Sequence, residues 1–214
     1  MSHLTKVYWL SQPPRRAGFQ RLKRDSWLED WNYIEAVSVH RLDHEQEIRI
    51  LPYFLHSGKF SDFAFGGVGL LWFNQHVVDV FGDELLEYGR LYPIDVQDAP
   101  SQYYFYHVTK LVKAMDLEAV SKLDSRYQPG QPYNSISSSK FEFISENIQD
   151  LLVFKDIQQD PGHRIIFLGQ RFVDILKKHK FTGVHKDTFK PIWPRPEPAQ
   201  IQTGPRIDLA DLNL

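Results

Sequence analysis

The sequence predicts an α+β fold, a mixed and mainly antiparallel sheet that carries short helices. Short runs rich in β-branched and aromatic residues, typical of strands, are separated by proline and glycine. A strand followed by an amphipathic helix and a second strand occurs twice, around residues 69–97 and 164–186. A doubly wound parallel sheet would need more crossover helices than this sequence offers.

We expect three regions along the chain. Residues 1–66 form an N-terminal β-rich subdomain, with strand candidates in "KVYWLS", "NYIEAVSV" and "QEIRILPYFL". Residues 67–190 form the α+β domain. Residues 191–214 form a proline-rich C-terminal tail, extended unless it packs back on the domain.

The repeated units align Leu70–Phe81 with Ile165–Leu176. In the first unit, an apolar strand leads to Asn74, a good N-cap for one helix that continues to about Gly89. The segment "RLYPIDV" then returns as a strand. In the second unit, Gly169 forms the turn, and "FTGVHK" is the expected returning strand.

The two predicted helices differ in charge. The first carries Asp79, Asp83 and Glu87 at intervals of four, with Glu84 beside them, whereas the second offsets Asp174 with Lys178. An acidic stripe without lysine suits contact with a basic partner, but it is equally typical of a solvated face. A helix break at Gly82 would also prevent the stripe from aligning.

A second candidate surface is "SWLEDWNY". It places Trp27 and Trp31 beside Glu29 and Asp30, and tryptophan often anchors protein interfaces. The alternative is that these tryptophans cover the N-terminal sheet.

Motifs for catalysis, cofactors and metals are weak. His40 and His44 have zinc-like spacing but lie in an expected turn, and Ser137-x-x-Lys140 lacks its companion motifs. Asp79 and Asp174 recur in both units, in the first turns of each helix, where the helix dipole favours an acid. We therefore predict no catalytic, cofactor or metal residues. Nine histidines leave open a small cytoplasmic hydrolase or transferase with a His/Asp site.

The bulk composition limits the remaining classes of partner. The chain has 214 residues, a formal net charge of -2 and no cysteine, which disfavours nucleic acid or an anionic membrane as partners and fits a reducing compartment. The N-terminus lacks a secretory layout, and no apolar run approaches the ~20 residues of a membrane helix. We expect a cytoplasmic protein. Its oligomeric state is left open.

Three segments resemble the polymorphic-toxin immunity proteins grouped as immunity protein family eleven, or a related immunity group. They are "LLEYGRLYPIDV", "YYFYHVTKLVKAMDLEAV" and "HRIIFLGQRFVDILKKHKFTGVHKDTF". The "L-K-K-x-x-F-T-G-V" helix exit at Leu176–Val184 and the Asp of "MDLE" at Met115–Glu118 carry the likeness, which covers about residues 68–190.

The resemblance implies a cytoplasmic, non-enzymatic protein that binds and neutralises a toxin delivered by other bacteria, often a nuclease. It carries no catalytic residues over to this chain. The acidic stripe and the tryptophan-rich segment are then the expected toxin contacts.

Overall fold

The computed structural model describes residues 5–10, 18–21, 53–57, 59–64, 71–124, 127, 133, 140–160 and 164–194. Its strands are β1 (Val7–Trp9), β2 (Gly18–Arg21), β3 (Tyr53–Ser57), β4 (Phe63–Ala64), β5 (Leu71–Asn74), β6 (Gly89–Ile94), β7 (Tyr103–Val108), β8 (Leu111–Val112), β9 (Val153–Asp156) and β10 (Phe167–Gly169). Its helices are α1 (Gln75–Phe81), α2 (Glu84–Tyr88), α3 (Leu117–Leu123), α4 (Ser145–Ile148), α5 (Gln170–His179) and a 3₁₀ helix (Lys186–Phe189).

The strands form two four-stranded sheets and one two-stranded sheet. The first sheet has the order β4-β5-β7-β6 and is antiparallel throughout. The second has the order β1-β10-β9-β8, with one parallel pair between β8 and β9. Strands β2 and β3 form an antiparallel pair. The predicted α+β class, with mainly antiparallel sheets and short helices, is confirmed.

The sequence repeat is also a repeat in structure. Strand β5 leads directly into α1, and β10 leads directly into α5; each strand has an antiparallel neighbour on both sides. The aligned residues Phe73 and Leu168 hold equivalent register positions. The pairs concerned are Phe73 with Phe63 and Tyr104, and Leu168 with Val153 and Tyr8. The two units are therefore a duplicated building block.

Each unit contains the same chain of side-chain hydrogen bonds. A tyrosine from the neighbouring strand donates to the first glutamine of the helix, which donates to the aspartate four residues later. The two chains are Tyr104–Gln75–Asp79 and Tyr8–Gln170–Asp174. The glutamine-to-aspartate distances are 2.6 Å and 2.7 Å. The recurring residues thus fasten each helix to its sheet.

The two repeated helices share one hydrophobic core. Val77 and Phe81 of α1 and Phe172 and Leu176 of α5 are buried in the same cluster. The rings of Phe81 and Phe172 lie 4.7 Å apart between centroids, within the range of favourable aromatic pairs. No helix in the described ranges is long and apolar enough to cross a membrane.

The prediction of one helix from Asn74 to Gly89 is wrong in its middle. Asn74 caps α1 as expected, accepting from the Val77 backbone N–H at 3.3 Å. The helix ends at Phe81 because Gly82 has a left-handed φ of 63°, and α2 then starts at Glu84. The returning strand is confirmed as β6.

The second unit differs at its exit. Residues after α5 form a turn and a 3₁₀ helix, so the expected strand in "FTGVHK" is not present. Gly183 has a φ of 90°, which extended strand geometry does not allow.

The prediction that the helix dipole explains the two recurring acids, Asp79 and Asp174, is wrong. Neither Asp79 nor Asp174 lies in the first turn of its helix, so their partner is glutamine rather than the helix dipole. Asp174 likewise bonds Gln170 rather than Lys178.

In the N-terminal region, "KVYWLS" contains β1 and "QEIRILPYFL" overlaps β3, whereas "NYIEAVSV" lies outside the described residues. Strand β1 pairs with β10, and Val7 also bridges to Trp193. The three-region division of the chain stays a prediction.

Candidate functional site

The predicted acidic stripe lies across the break between α1 and α2. Asp79, Asp83 and Glu87 are exposed and Glu84 is half-buried. Because Gly82 interrupts the helix, these four acids do not follow one continuous helical face. They cluster instead at a corner formed by two short helices.

Two of the four acids already have partners within the chain. Glu84 forms an ion pair with Arg171 of α5 at 2.6 Å, and the Glu84 side chain is only 19% exposed. Asp79 accepts from Gln75. Arg171 offsets the charge of Glu84, whereas Asp79 keeps its charge but is engaged with Gln75, which leaves Asp83 and Glu87 as the more available acids at this corner.

The same corner exposes an apolar side chain. Leu86 of α2 is 48% exposed and lies between Asp83 and Glu87 in sequence. On the opposite side of α2, Leu85 and Tyr88 are buried and hold the helix against the core. The set Asp83, Leu86 and Glu87 is called the α2 surface below. An exposed leucine between two acids gives this surface both an apolar side chain and negative charge, the two features that a protein interface uses.

Several other sequence candidates lie outside the described residues. They are Trp27, Glu29, Asp30, Trp31, His40, His44 and Ser137. Their assignment as toxin contacts, or as weak chemical motifs, stays a prediction.

A second polar cluster, which the sequence did not reveal, is centred on Asp62. Its carboxylate accepts from the backbone N–H and hydroxyl of Thr182, both at 2.7 Å, and from Asn74 at 3.1 Å. The Nδ1 atom of His76 lies 3.1 Å from the same carboxylate. Asp62 therefore joins the segment before β4, the start of α1 and the exit of α5.

This cluster contains a histidine–aspartate pair of the kind that general bases use. The Asp62 oxygens are, however, occupied by groups from three elements, as suits a structural junction. His76 is 55% exposed on its side chain, and its ring packs 5.1 Å from Phe181. No group of three metal-binding side chains is found among the described residues.

The ionisation of Asp62 is coupled to this junction. Burial raises the pKa of its carboxyl, but the hydrogen bonds from Thr182, His76 and Asn74 outweigh burial and lower the pKa overall. A carboxyl with a lowered pKa in the folded state stabilises the fold above its ordinary pKa. That contribution is lost as the pH falls through the lowered value.

We expect Asp62→Asn to lower the free energy of unfolding by about 1–3 kcal/mol near neutral pH, because Thr182 loses a charged acceptor. The difference from wild type should shrink as the pH falls below the ordinary carboxyl pKa of 3.8 and through the lowered value of the folded state. Urea unfolding at several pH values measures this. Asp187→Asn is the matched control, since Asp187 also contacts a histidine but at an exposed site. An equal loss of unfolding free energy in both variants would contradict the role of Asp62 as a structural junction.

A third polar group lies inside the second sheet. Asp156 of β9 is fully buried and accepts from the Ala114 backbone N–H at 3.0 Å and from the Tyr133 hydroxyl at 2.9 Å. Its neighbour Lys155 is also buried. The sequence "VFKD" is typical of the end of a strand, so it does not predict that Lys155 and Asp156 are both buried.

The described residues form an α+β protein with a duplicated strand–helix unit and an exposed acidic and apolar corner. Residues 94–190 match the model described as Immunity protein family (Imm11). The resemblance to this family that the sequence indicated is confirmed over residues 94–190, somewhat less than half of the chain, whereas the expected likeness over residues 68–93 lies outside the match. No curated protein matches the chain.

The motifs that carried the resemblance have structural roles. Asp116 of "MDLE" caps α3 by accepting from the Ala119 N–H at 2.9 Å. In "F-T-G-V", Phe181 is buried, Thr182 binds Asp62, and Gly183 packs against Phe63. These residues therefore contribute to the stability of the fold.

Proposed function

We propose that this chain is a non-enzymatic immunity protein that acts in the cytoplasm, where it binds a cognate bacterial toxin and blocks its active site. The family match over residues 94–190 is the observation that carries the proposal. The match supports the class of immunity protein. The toxin contact, the toxin's nuclease activity and blocking by occlusion are further parts of our proposal.

We assign the toxin contact to the corner between α1 and α2, centred on the α2 surface. Leu86 would enter an apolar pocket of the toxin, and Asp83 and Glu87 would meet basic side chains around it. A nuclease must hold phosphates with basic residues, so its substrate groove is complementary to this surface. Asp79 and Glu84 would contribute at the rim.

The tryptophan-rich segment remains part of the proposed contact. Trp27 and Trp31 would act as aromatic anchors, with Glu29 and Asp30 adding charge beside them. A stable complex buries about 800 Å² on each partner, which is more than one short helix supplies.

The contact is tested by reversing two charges in the purified protein. Asp83→Lys with Glu87→Lys should slow association with the cognate toxin domain by about tenfold or more at low salt. Stopped-flow or surface-binding kinetics at two salt concentrations measure the rate. Leu86→Ala should instead speed dissociation, because an apolar anchor is lost.

A matched control separates local from overall charge. Glu118→Lys with Glu146→Lys changes two exposed acids elsewhere and shifts the net charge by the same amount. We expect only a small change in its association rate. Equal slowing in both double variants would show that net charge, rather than the α2 surface, governs the encounter.

A further inference from the structure

Strand β6 forms one edge of the first sheet, and among the described strands it pairs only with β7. It has six residues, of which Arg90 and Pro93 are exposed and Leu91 and Tyr92 are half-buried. An edge strand presents unpaired N–H and C=O groups to which another strand can bond. Natural proteins therefore cover, shorten or shield such edges.

The other edges of the two four-stranded sheets are covered or short. At β1, Val7 exchanges backbone hydrogen bonds with Trp193, and at β4 the Phe63 N–H donates to the Thr182 carbonyl. Strand β8 has only two residues, with an exposed lysine on each side. In the part of the chain that the structure describes, β6 is thus the one long edge strand without such protection.

Hydrogen bonds at the two ends of β7 show which of its residues face β6. The Thr109 N–H donates to the Tyr88 carbonyl at 2.9 Å, and the Gln75 N–H donates to the Gln102 carbonyl at 2.7 Å. Because bonded pairs alternate along an antiparallel ladder, odd-numbered residues of β7 bond to β6 and even-numbered ones bond to β5. In the register of β6 with β7, the even-numbered residues of β6 are then the bonded ones.

The outward backbone groups of β6 belong to Gly89, Leu91 and Pro93, which are called the β6 edge below. The Gly89 N–H already donates to the Leu85 carbonyl, and Pro93 has no N–H, as suits an outward position on an edge strand. The N–H and C=O of Leu91 and the Pro93 carbonyl make no backbone bond to the other described residues. The Gly89 carbonyl accepts at 3.3 Å from the exposed Arg90 side chain, which leaves it a free lone pair.

We propose that the toxin adds an extended segment to the β6 edge as an antiparallel strand. The toxin residue opposite Leu91 forms two main-chain hydrogen bonds, and residues on either side donate to the carbonyls of Gly89 and Pro93. Helix α2 runs directly into β6, so this contact continues the α2 surface and supplies area that one short helix lacks. The inference rests on the proposed function and specifies how the toxin is held.

A second copy of this chain fits the same edge less well. In a two-fold pairing centred on Leu91, Pro93 of one copy lies opposite Gly89 of the other. Pro93 offers no N–H to the Gly89 carbonyl, and the Gly89 N–H is engaged with Leu85. Only the bonds at Leu91 would form. A different chain without proline in this stretch bonds to all three residues of the β6 edge.

Leu91→Pro tests the central bond, because it removes the outward N–H. Leu91→Ala is the matched control, since it also loses the leucine side chain but keeps the N–H. We expect Leu91→Pro to bind the cognate toxin domain about tenfold or more weakly than Leu91→Ala. Titration of the purified full-length variants measures this, and circular dichroism checks that both are folded. Equal affinities would overturn the proposal.

A second measurement needs no variant, so it applies even if Leu91→Pro does not fold. Amide hydrogen exchange followed by NMR should be at least about tenfold slower at Leu91 in the toxin complex than in the free chain. Leu111 of β8 is the control, because its neighbours Lys110 and Val112 bond to β9 through their carbonyls and leave the Leu111 N–H pointing outward. Its exchange should not change.

The outcomes separate this inference from the proposed function. Toxin binding with unchanged exchange at Leu91 overturns strand addition and leaves the proposed function standing. A toxin domain that does not bind overturns the proposed function and this inference with it. Slow exchange at Leu91 in the free chain that depends on protein concentration would show that a second copy occupies the β6 edge, which also overturns the proposal.

Discussion

Gly183→Ala is expected to lower the free energy of unfolding by about 3 kcal/mol or more. Gly183 has a φ of 90°, which strains any other residue, and an added Cβ would overlap the Phe63 carbonyl oxygen and lie 2.7 Å from its backbone nitrogen. Strand β4 would have to move away from the exit of α5. Urea unfolding monitored by circular dichroism measures the loss.

Gly82→Ala provides the matched control for this prediction. Gly82 also has a positive φ, 63°, but no atom lies within 4 Å of an added Cβ. With φ 63° and ψ −152° the backbone conformation is one that is essentially confined to glycine, so we expect a cost of about 1–3 kcal/mol from backbone strain alone, and a smaller loss than at Gly183. Similar losses at the two glycines would show that β4 does not pack closely on the "F-T-G-V" exit.

Lys155→Met is expected to stabilise the protein by roughly 3–5 kcal/mol at or below pH 7 in a chloride buffer. The pKa of Lys155 is about 7 in the fold and 10.5 in the unfolded chain. Below pH 7 both states are protonated, and the folded protein carries the full cost of a buried charge. Methionine has a similar length and removes the charge.

The gain should depend on pH with a defined sign. Between about pH 7 and pH 10.5 the unfolded chain binds the proton that the folded chain has released, so wild-type stability rises with pH. The advantage of Lys155→Met over wild type should therefore shrink from pH 7 to pH 9. Urea titrations at both values measure it. A variant less stable than wild type at pH 7 would mean that Lys155 has a counter-ion.

Local chemistry made the start of the repeated unit predictable. Asn74 accepts from an N–H three residues ahead, so both the signal and the bond lie within one turn. The apolar spacing of Val77 and Phe81 likewise placed the buried face correctly. The helix break at Gly82 was harder to predict from the sequence, because α2 is held in place by tertiary contacts, including the ion pair between Glu84 and Arg171.

The hydrogen-bonded chains could be predicted only in part. Gln75 with Asp79 and Gln170 with Asp174 have the i,i+4 spacing at which these side chains bond, so the sequence does carry a signal for this part of each chain. Their tyrosine partners come from other strands. Tyr8 lies 162 residues from Gln170, a separation that no local pattern spans.

The contacts of Asp62 and the burial of Lys155 could not be predicted from the sequence, because both depend on long-range pairing. Asp62 meets Thr182 across 120 residues, and its sequence neighbourhood reads as a polar connection. The burial of Lys155 follows from the parallel pairing of β8 with β9. Charges that become interior through sheet assembly have no periodic signature in the sequence, so only the fold identified them.

The most direct test of the central claim is protection of growing cells. The candidate toxin is the C-terminal domain encoded by the neighbouring gene, and it is expressed in a sensitive bacterium with the full chain, with the Asp83→Lys and Glu87→Lys variant, or with an empty vector. We predict full growth with the wild-type chain, reduced protection with the variant and arrest with the vector. Arrest in the presence of well-expressed, folded wild-type chain would contradict its assignment as that toxin's immunity protein.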